Sequence, residues 1–328
     1  MDNILGKNEE KKDIGPIYRF LLLCVLLFGL MFILYGLIQS NFGYPPLEDN
    51  SGQAYQSVPT GSNPIPSTTG ANTNHLQSNW GMPLEVTKPS TDVSDLERLI
   101  WQKTNEERKQ RGLPALNWED GLSLTARYHS NDMATKNFFD HQNLENVGPS
   151  FRAAKIHRSF VGLVGENIFM MTQSSTDIAQ QAEQIMRGWM NSTGHRENIL
   201  RDTFNSLGVG CVEVKKGNTT WIYATQVFGQ KIGKLDKDLP GEIQGTQTLS
   251  FQVKEVDAEF LPPTAVFLEN ITNRGLKFQV PINATAIVSL SAPGQEGLYQ
   301  LVFYFPFQKN TNTQGIFPGP MISVKKVK

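Results

Sequence analysis

A stretch of nineteen residues without a charge, Phe20 to Ile38 (FLLLCVLLFGLMFILYGLI), constrains this chain more than any other feature. At 1.5 Å rise per residue it is long enough to cross a hydrocarbon core about 30 Å thick, so it predicts a transmembrane helix over 20–38. Lys7, Lys11, Lys12 and Arg19 precede it, and the next Lys or Arg is Lys88. Basic flanks stay in the cytoplasm, which predicts a tail at 1–19 inside, a single pass, and everything after residue 38 outside. A cleaved signal peptide is the alternative. The stretch is longer than a usual signal h-region and has no clear small-x-small cleavage site, which favours an anchor.

Between 39 and 93 the chain turns to Ser, Thr, Pro, Gly and Asn, as in SVPTGSNPIPSTTGANTN. Too few apolar side chains are present to offset the entropy of ordering, so a disordered linker is predicted there. About 50 flexible residues reach roughly 40 Å, enough to carry the remainder of the chain clear of the headgroups. Beyond the linker, the 39% hydrophobic share of the chain suffices for real cores. The 30 basic and 31 acidic side chains nearly cancel, which argues against nucleic acid as a partner. With two cysteines, Cys24 in the apolar run and Cys211 far from it, no disulfide framework is available and packing must supply the stability. Cys211 reads as a small core thiol rather than a nucleophile.

Ser94 and Glu97 form a capping-box pattern, with Leu96, Leu99, Ile100 and Thr104 on one face of the adjoining helix and Gly112 as its stop signal. A second helix is predicted over 121–137, burying Leu122, Ala126, His129 and Met133, and a third from Asp177 through Ile178, Ala182, Ile185, Met186 and Trp189. Strands are predicted at 163–170, 207–214 and 219–228, the last two joined by a Lys215–Asn218 hairpin. The fold class is thus α+β, with helices flanking a small antiparallel sheet over 94–230. After Gly229 alternating segments take over, and their spacing predicts a small all-β, sandwich-like domain over 240–328. Within it both alternating sets of Leu298–Phe305 are rich in apolar and aromatic residues, which fits a central strand buried on both faces. No ionisable cluster accompanies these strands, so a spacer or adhesion role suits this part.

The chemistry concentrates in three residues. His141 ends the run Asn137-Phe138-Phe139-Asp140-His141 just past the second helix, His195 comes after the third, and Glu166 interrupts an apolar strand in Gly165-Glu166-Asn167-Ile168. A carboxylate in such a strand demands a cation, a metal or a proton beside it. Two neutral imidazoles could hold Zn²⁺ with open positions, and Glu166 could then act as general base on bound water. Neither histidine belongs to a compact ligand motif, and the rival is a structural hydrogen-bond network. His129 reads as a buried structural histidine that Asp132 could orient, and His157, between Lys155 and Arg158, as a solvated loop residue.

Taken together, Asn105-Glu106-Glu107-Arg108, Ala126 to Ala134 (ARYHSNDMA), Phe138-Phe139-Asp140-His141, Gly165-Glu166-Asn167-Ile168 and Trp189 to Leu200 (WMNSTGHRENIL) resemble the CAP/SCP superfamily in its microbial branch. Gly208-Val209-Gly210 and Tyr223 to Gly229 complete a resemblance that covers about 94–230. It implies an α-β-α sandwich and a cleft lined by His141, His195 and Glu166. Ser192 stands where many eukaryotic members carry a second glutamate, which weakens any transfer of activity from them. Ser192 as a nucleophile near His195 is conceivable, although helix capping by Ser192 or Thr193 is the simpler role. The implied functions are a tethered ligand-binding or interaction module taking an unknown extracellular ligand, lipid or protein, or else a metal-assisted, peptidase-like hydrolase. A purely structural adhesin would need none of the three residues to act together.

Overall fold

The first helix begins as its sequence dictates. The Ser94 hydroxyl accepts from the Glu97 N–H at 3.2 Å, and the Glu97 carboxylate accepts from the Ser94 N–H at 3.1 Å, so two otherwise orphaned helix donors are satisfied. The computed structural model describes residues 94–326 apart from 274 and 284. The expected tail, spanning helix and linker lie outside the described residues. Among those that are described, no helix is long and apolar enough to cross a membrane.

Five helices are described: α1 (Asp95–Lys109), α2 (Asp120–Lys136), α3 (Pro149–Ile156), α4 (Ile178–Asn191) and α5 (Thr193–Leu200). Helix α1 stops short of Gly112, whose φ of 72° suits a residue without Cβ, and α2 ends on Asn137 in the left-handed region. The Asp177 carboxylate accepts from the Ala179 N–H to cap α4. Periodicity reveals α1, α2 and α4 but misses α3 and α5. Each of those is eight residues long, about two turns, too short for a 3.6-residue period to stand out. His195 therefore lies within a helix rather than after one.

The strands β1 (Asn117–Trp118), β2 (Phe160–Thr172), β3 (Ser206–Lys216) and β4 (Thr219–Leu235) form one sheet, with β4 between β3 and β2. Alternation along β4 builds the layers. Ile222, Ala224 and Phe228 pack with α1, α4 and α5 through Ile100, Ile185, Met186, Trp189 and Ile199. Tyr223 and Val227 face α2 through Met133, Ala134, Leu122 and Ala126. The result is an α-β-α sandwich. Helix α2 lies so close on β3 that a Cβ at Gly208 would sit 2.0 Å from the Ser123 nitrogen, and one at Gly210 2.1 Å from the Arg127 nitrogen.

The remaining strands are β5 (Glu242–Gln244), β6 (Thr248–Lys254), β7 (Ala265–Asn270), β8 (Lys277–Val280), β9 (Ile287–Ser291), β10 (Gly297–Phe307) and β11 (Asn310–Lys325). Five of them form a second sheet ordered β5-β11-β10-β7-β8, in which β10 is central and buried along most of its length. The other two extend the first sheet, because β6 pairs with the end of β4 at Lys234 and Leu235 beyond the reach of β3. Strand β4 thus runs unbroken past residue 230. Its Ile232 and Leu235, with Val161 of β2, share one core with Phe251, Leu268, Leu301, Phe303 and Phe305. Arg158 adds a polar link, donating to the carbonyls of Leu239 and Pro240 at 2.9 and 2.7 Å.

Candidate functional site

Strand β2 places two adjacent polar residues on opposite faces of the sheet. Glu166 shares a face with Ile168, which packs on α2, and Asn167 faces α5. The Glu166 side chain is 1% exposed and both of its oxygens are engaged. Its Oε2 accepts from Arg152 Nη2 at 2.6 Å, and its Oε1 lies 2.9 Å from His141 Nδ1. Burial raises the carboxyl, but the Arg152 guanidinium, followed by the nearby His129 and the bond from His141, overcomes it and holds Glu166 at about 2. An ionised carboxylate can only accept, so Nδ1 of His141 carries the proton and Nε2 is left to face outward. That ring is 32% exposed.

The sequence demanded a cation beside Glu166, and Arg152 supplies it. Sequence alone assigns this residue no role. It sits on α3, fully buried, and nothing in Phe151-Arg152-Ala153-Ala154 marks it out before the chain is folded. Arg152 Nη1 also donates to the carbonyls of His141 and Val147, at 2.8 and 2.6 Å, so the loop after α2 hangs on the same guanidinium.

His129 is buried, as its helical position predicts, but Asp132 does not orient it: Asp132 pairs with Lys136 at 2.9 Å. His129 Nε2 donates instead to the Asp140 carbonyl at 2.9 Å and lies 3.7 Å from Glu166 Oε1. Burial lowers the pKa of His129 and keeps it neutral, with Nδ1 bare and unpartnered among the described residues. His157 is a correction: it is buried rather than solvated, and its Nε2 meets Glu119 at 3.1 Å, because the end of α3 folds back on the start of α2. Cys211 is partly buried and its thiol is pushed well up by desolvation, in keeping with a packing role.

On the other face, Asn167 Nδ2 donates to the His195 carbonyl and to Gln226 Oε1, both at 3.0 Å, and the Asn167 side-chain oxygen accepts from Asn198 at 3.0 Å. Gln226 continues to Thr104 on α1 at 2.7 Å. The helix carrying His195 is thereby tied to β2 next to Glu166. Ser192 stands at the N-cap position of α5 without making a side-chain cap bond, so the expected capping is positional only. Arg196 bonds the Met190 carbonyl at 2.8 Å and ties the end of α4 to α5. Beside His141, Phe139 and Leu144 are exposed, at 40% and 62%, and give the loop an apolar rim.

Among the described residues, no group of three or more His, Cys, Asp or Glu is arranged to hold a metal ion. With both Glu166 oxygens committed to Arg152 and His141, the donor chemistry does not fit a closed, resident metal centre.

Fold and site define a class: an α-β-α sandwich domain whose partly exposed imidazole is set by a buried carboxylate. Residues 101–228 match the family model described as CAP, the cysteine-rich secretory protein family. That segment is a CAP/SCP domain of the microbial kind, and the match says nothing of the residues outside it. It is similar to the uncharacterized protein YkwD of Bacillus subtilis (strain 168), 38% identical over 128 residues, which are 39% of this chain and 47% of that one. It also resembles the uncharacterized membrane protein YlbC of the same strain, 33% identical over 114 residues, 35% of this chain and 31% of the relative. The matches thus span less than half of either relative. Among solved structures, an extracellular SCP-domain protein from Bacillus anthracis is 33% identical, covering 42% of this chain and 40% of that one with a TM-score of 0.34. A cysteine-rich secretory protein from Staphylococcus aureus is 22% identical, covering 44% and 41% with a TM-score of 0.32.

Proposed function

We propose that this chain is a ligand-binding or interaction protein held at the outer face of the cytoplasmic membrane by Phe20–Ile38, with its N-terminus in and its C-terminus out. The CAP domain takes its ligand at the cleft centred on His141, with His195 and Ser192 on the neighbouring helical segment. One observation supports this above the others: a half-buried imidazole is locked by a fully buried carboxylate at 2.9 Å, which fixes its tautomer and aims Nε2 outward. Holding a charge inside the protein costs several kcal/mol, a cost that a purely structural contact at the surface does not require. The exposed Phe139 and Leu144 beside it favour a ligand with an apolar part, such as a lipid or a protein surface.

A divalent ion such as Zn²⁺ would need the imidazoles of His141 and His195 to converge, with water or ligand completing its shell. Glu166 would then support the His141 ring from behind. The rival, a peptidase-like hydrolase, draws on the same pair: with Glu166 walled in, His141 rather than Glu166 is the residue placed to act as general base.

The test is Zn²⁺ titration by calorimetry at neutral pH on wild type, His141→Ala and His195→Ala. Binding that both variants lose establishes a shared two-histidine site. Folded wild type that binds none sinks the metal part and leaves an apolar or protein ligand. Glu166→Gln is a poor probe of either reading, because it strands the Arg152 charge in the interior, a change worth about 3–5 kcal/mol.

A further inference from the structure

We propose that Arg152 is the positioning residue of the cleft, setting His141 by gripping both its backbone and the carboxylate that orients its ring. The inference rests on the His141-centred reading above and names the residue that makes that site a fixed one. Three bonds carry it. Nη2 holds Glu166 Oε2 at 2.6 Å, while Nη1 holds the carbonyls of His141 and Val147 at 2.8 and 2.6 Å. Glu166 in turn meets the His141 ring through its other oxygen. The two ends of one residue, its carbonyl and its imidazole, are thus referred to a single planar guanidinium. A lysine could neutralise Glu166, but a point charge on a flexible stem does not offer two parallel donors to a carboxylate and a loop at once.

The location of Arg152 adds a second argument. The loop from Phe138 to Gly148 has no helix or strand of its own, and its inward tie at Asn143 is local, to the Glu145 and Val147 N–H groups. Arg152 reaches it from α3, which is fixed at its far end by the His157–Glu119 pair and by the bonds of Arg158 to Leu239 and Pro240. The loop is thus referenced to the packed interior at two points, by His129 at the Asp140 carbonyl and by Arg152 at the carbonyls of His141 and Val147, and of the two side chains Arg152 is the one bonded to both His141 and Glu166.

The experiment is ¹⁵N NMR of the His141 ring, with amide hydrogen exchange over 141–147, in the full chain and in Arg152→Lys. Wild type is expected to show the Nδ1–H tautomer in at least about tenfold excess, as a charge-assisted bond requires. In Arg152→Lys that ratio is expected to fall toward parity and the loop amides to exchange faster. If Arg152→Lys does not fold, Arg152→Gln, which keeps the Glu166 carboxylate, replaces it and is read in the same way. A folded variant that keeps one tautomer and a protected loop, losing thermal stability alone, overturns the proposal and makes Arg152 merely structural. In wild type, slow solvent exchange of the Arg152 guanidinium protons and through-space contacts to the 141–147 backbone are expected, and their absence overturns it without any variant. These readouts need no ligand, so they can succeed where the zinc titration fails, and the reverse.

Discussion

Among the described residues, Glu166 and Glu119 are the carboxylates held at about 2. Burial pushes each of them up, and the partners reverse it: Arg152 and His141 for Glu166, His157 and Lys231 for Glu119. A folded pKa below the unfolded one contributes stability that is complete above the unfolded value, about 4.5, and lost as pH falls toward 2. The protein should therefore lose stability between about pH 5 and pH 2, on the order of 3 kcal/mol from Glu166 alone. Urea titrations at stepped pH check this; a flat profile down to pH 3 would rule out the buried ion pairs. At this scale the sequence showed what Glu166 needs but not who provides it. A demand for a cation arises from one carboxylate in an apolar strand, whereas the provider is fourteen residues away on another element.

Among elements, the contact of α2 with β3 leaves no room for a side chain. Gly210 meets the α2 backbone directly, so a methyl group there cannot be accommodated by moving a flexible side chain. Gly210→Ala should cost about 1–3 kcal/mol or more and lower the melting temperature, while Gly217→Ala in the β3–β4 turn pays for its φ of 62° without any clash. Thermal melts of the two variants separate close packing from backbone strain; equal losses would refute the packing argument. The longer helices and strands could be read from periodicity because each buries one face over three or more turns or many residues. The short helices α3 and α5 could not, and these are the ones that carry Arg152 and His195.

For the molecule as a whole, the C-terminal strands share a core with β2 and β4, so the described residues should unfold as one unit. Calorimetry of the purified protein is expected to show a single transition, and a chain ending at residue 236 to be insoluble, since Val161, Ile232 and Leu235 would lose their partners. Two resolved transitions would show instead that the β strands form an independent domain. The α+β class, the capping box at Ser94, the main helices and strands, and the candidacy of His141, Glu166 and His195 are legible in the chain, because these depend on local period, local chemistry and ordered motifs. Folding alone settles that Glu166 serves His141 while its neighbour Asn167 holds the segment of His195, that His157 is buried, and that the end of β4 enters the core of the C-terminal strands. Those facts depend on which faces meet across many residues, and a strand's alternation says that two faces exist without saying what will cover them.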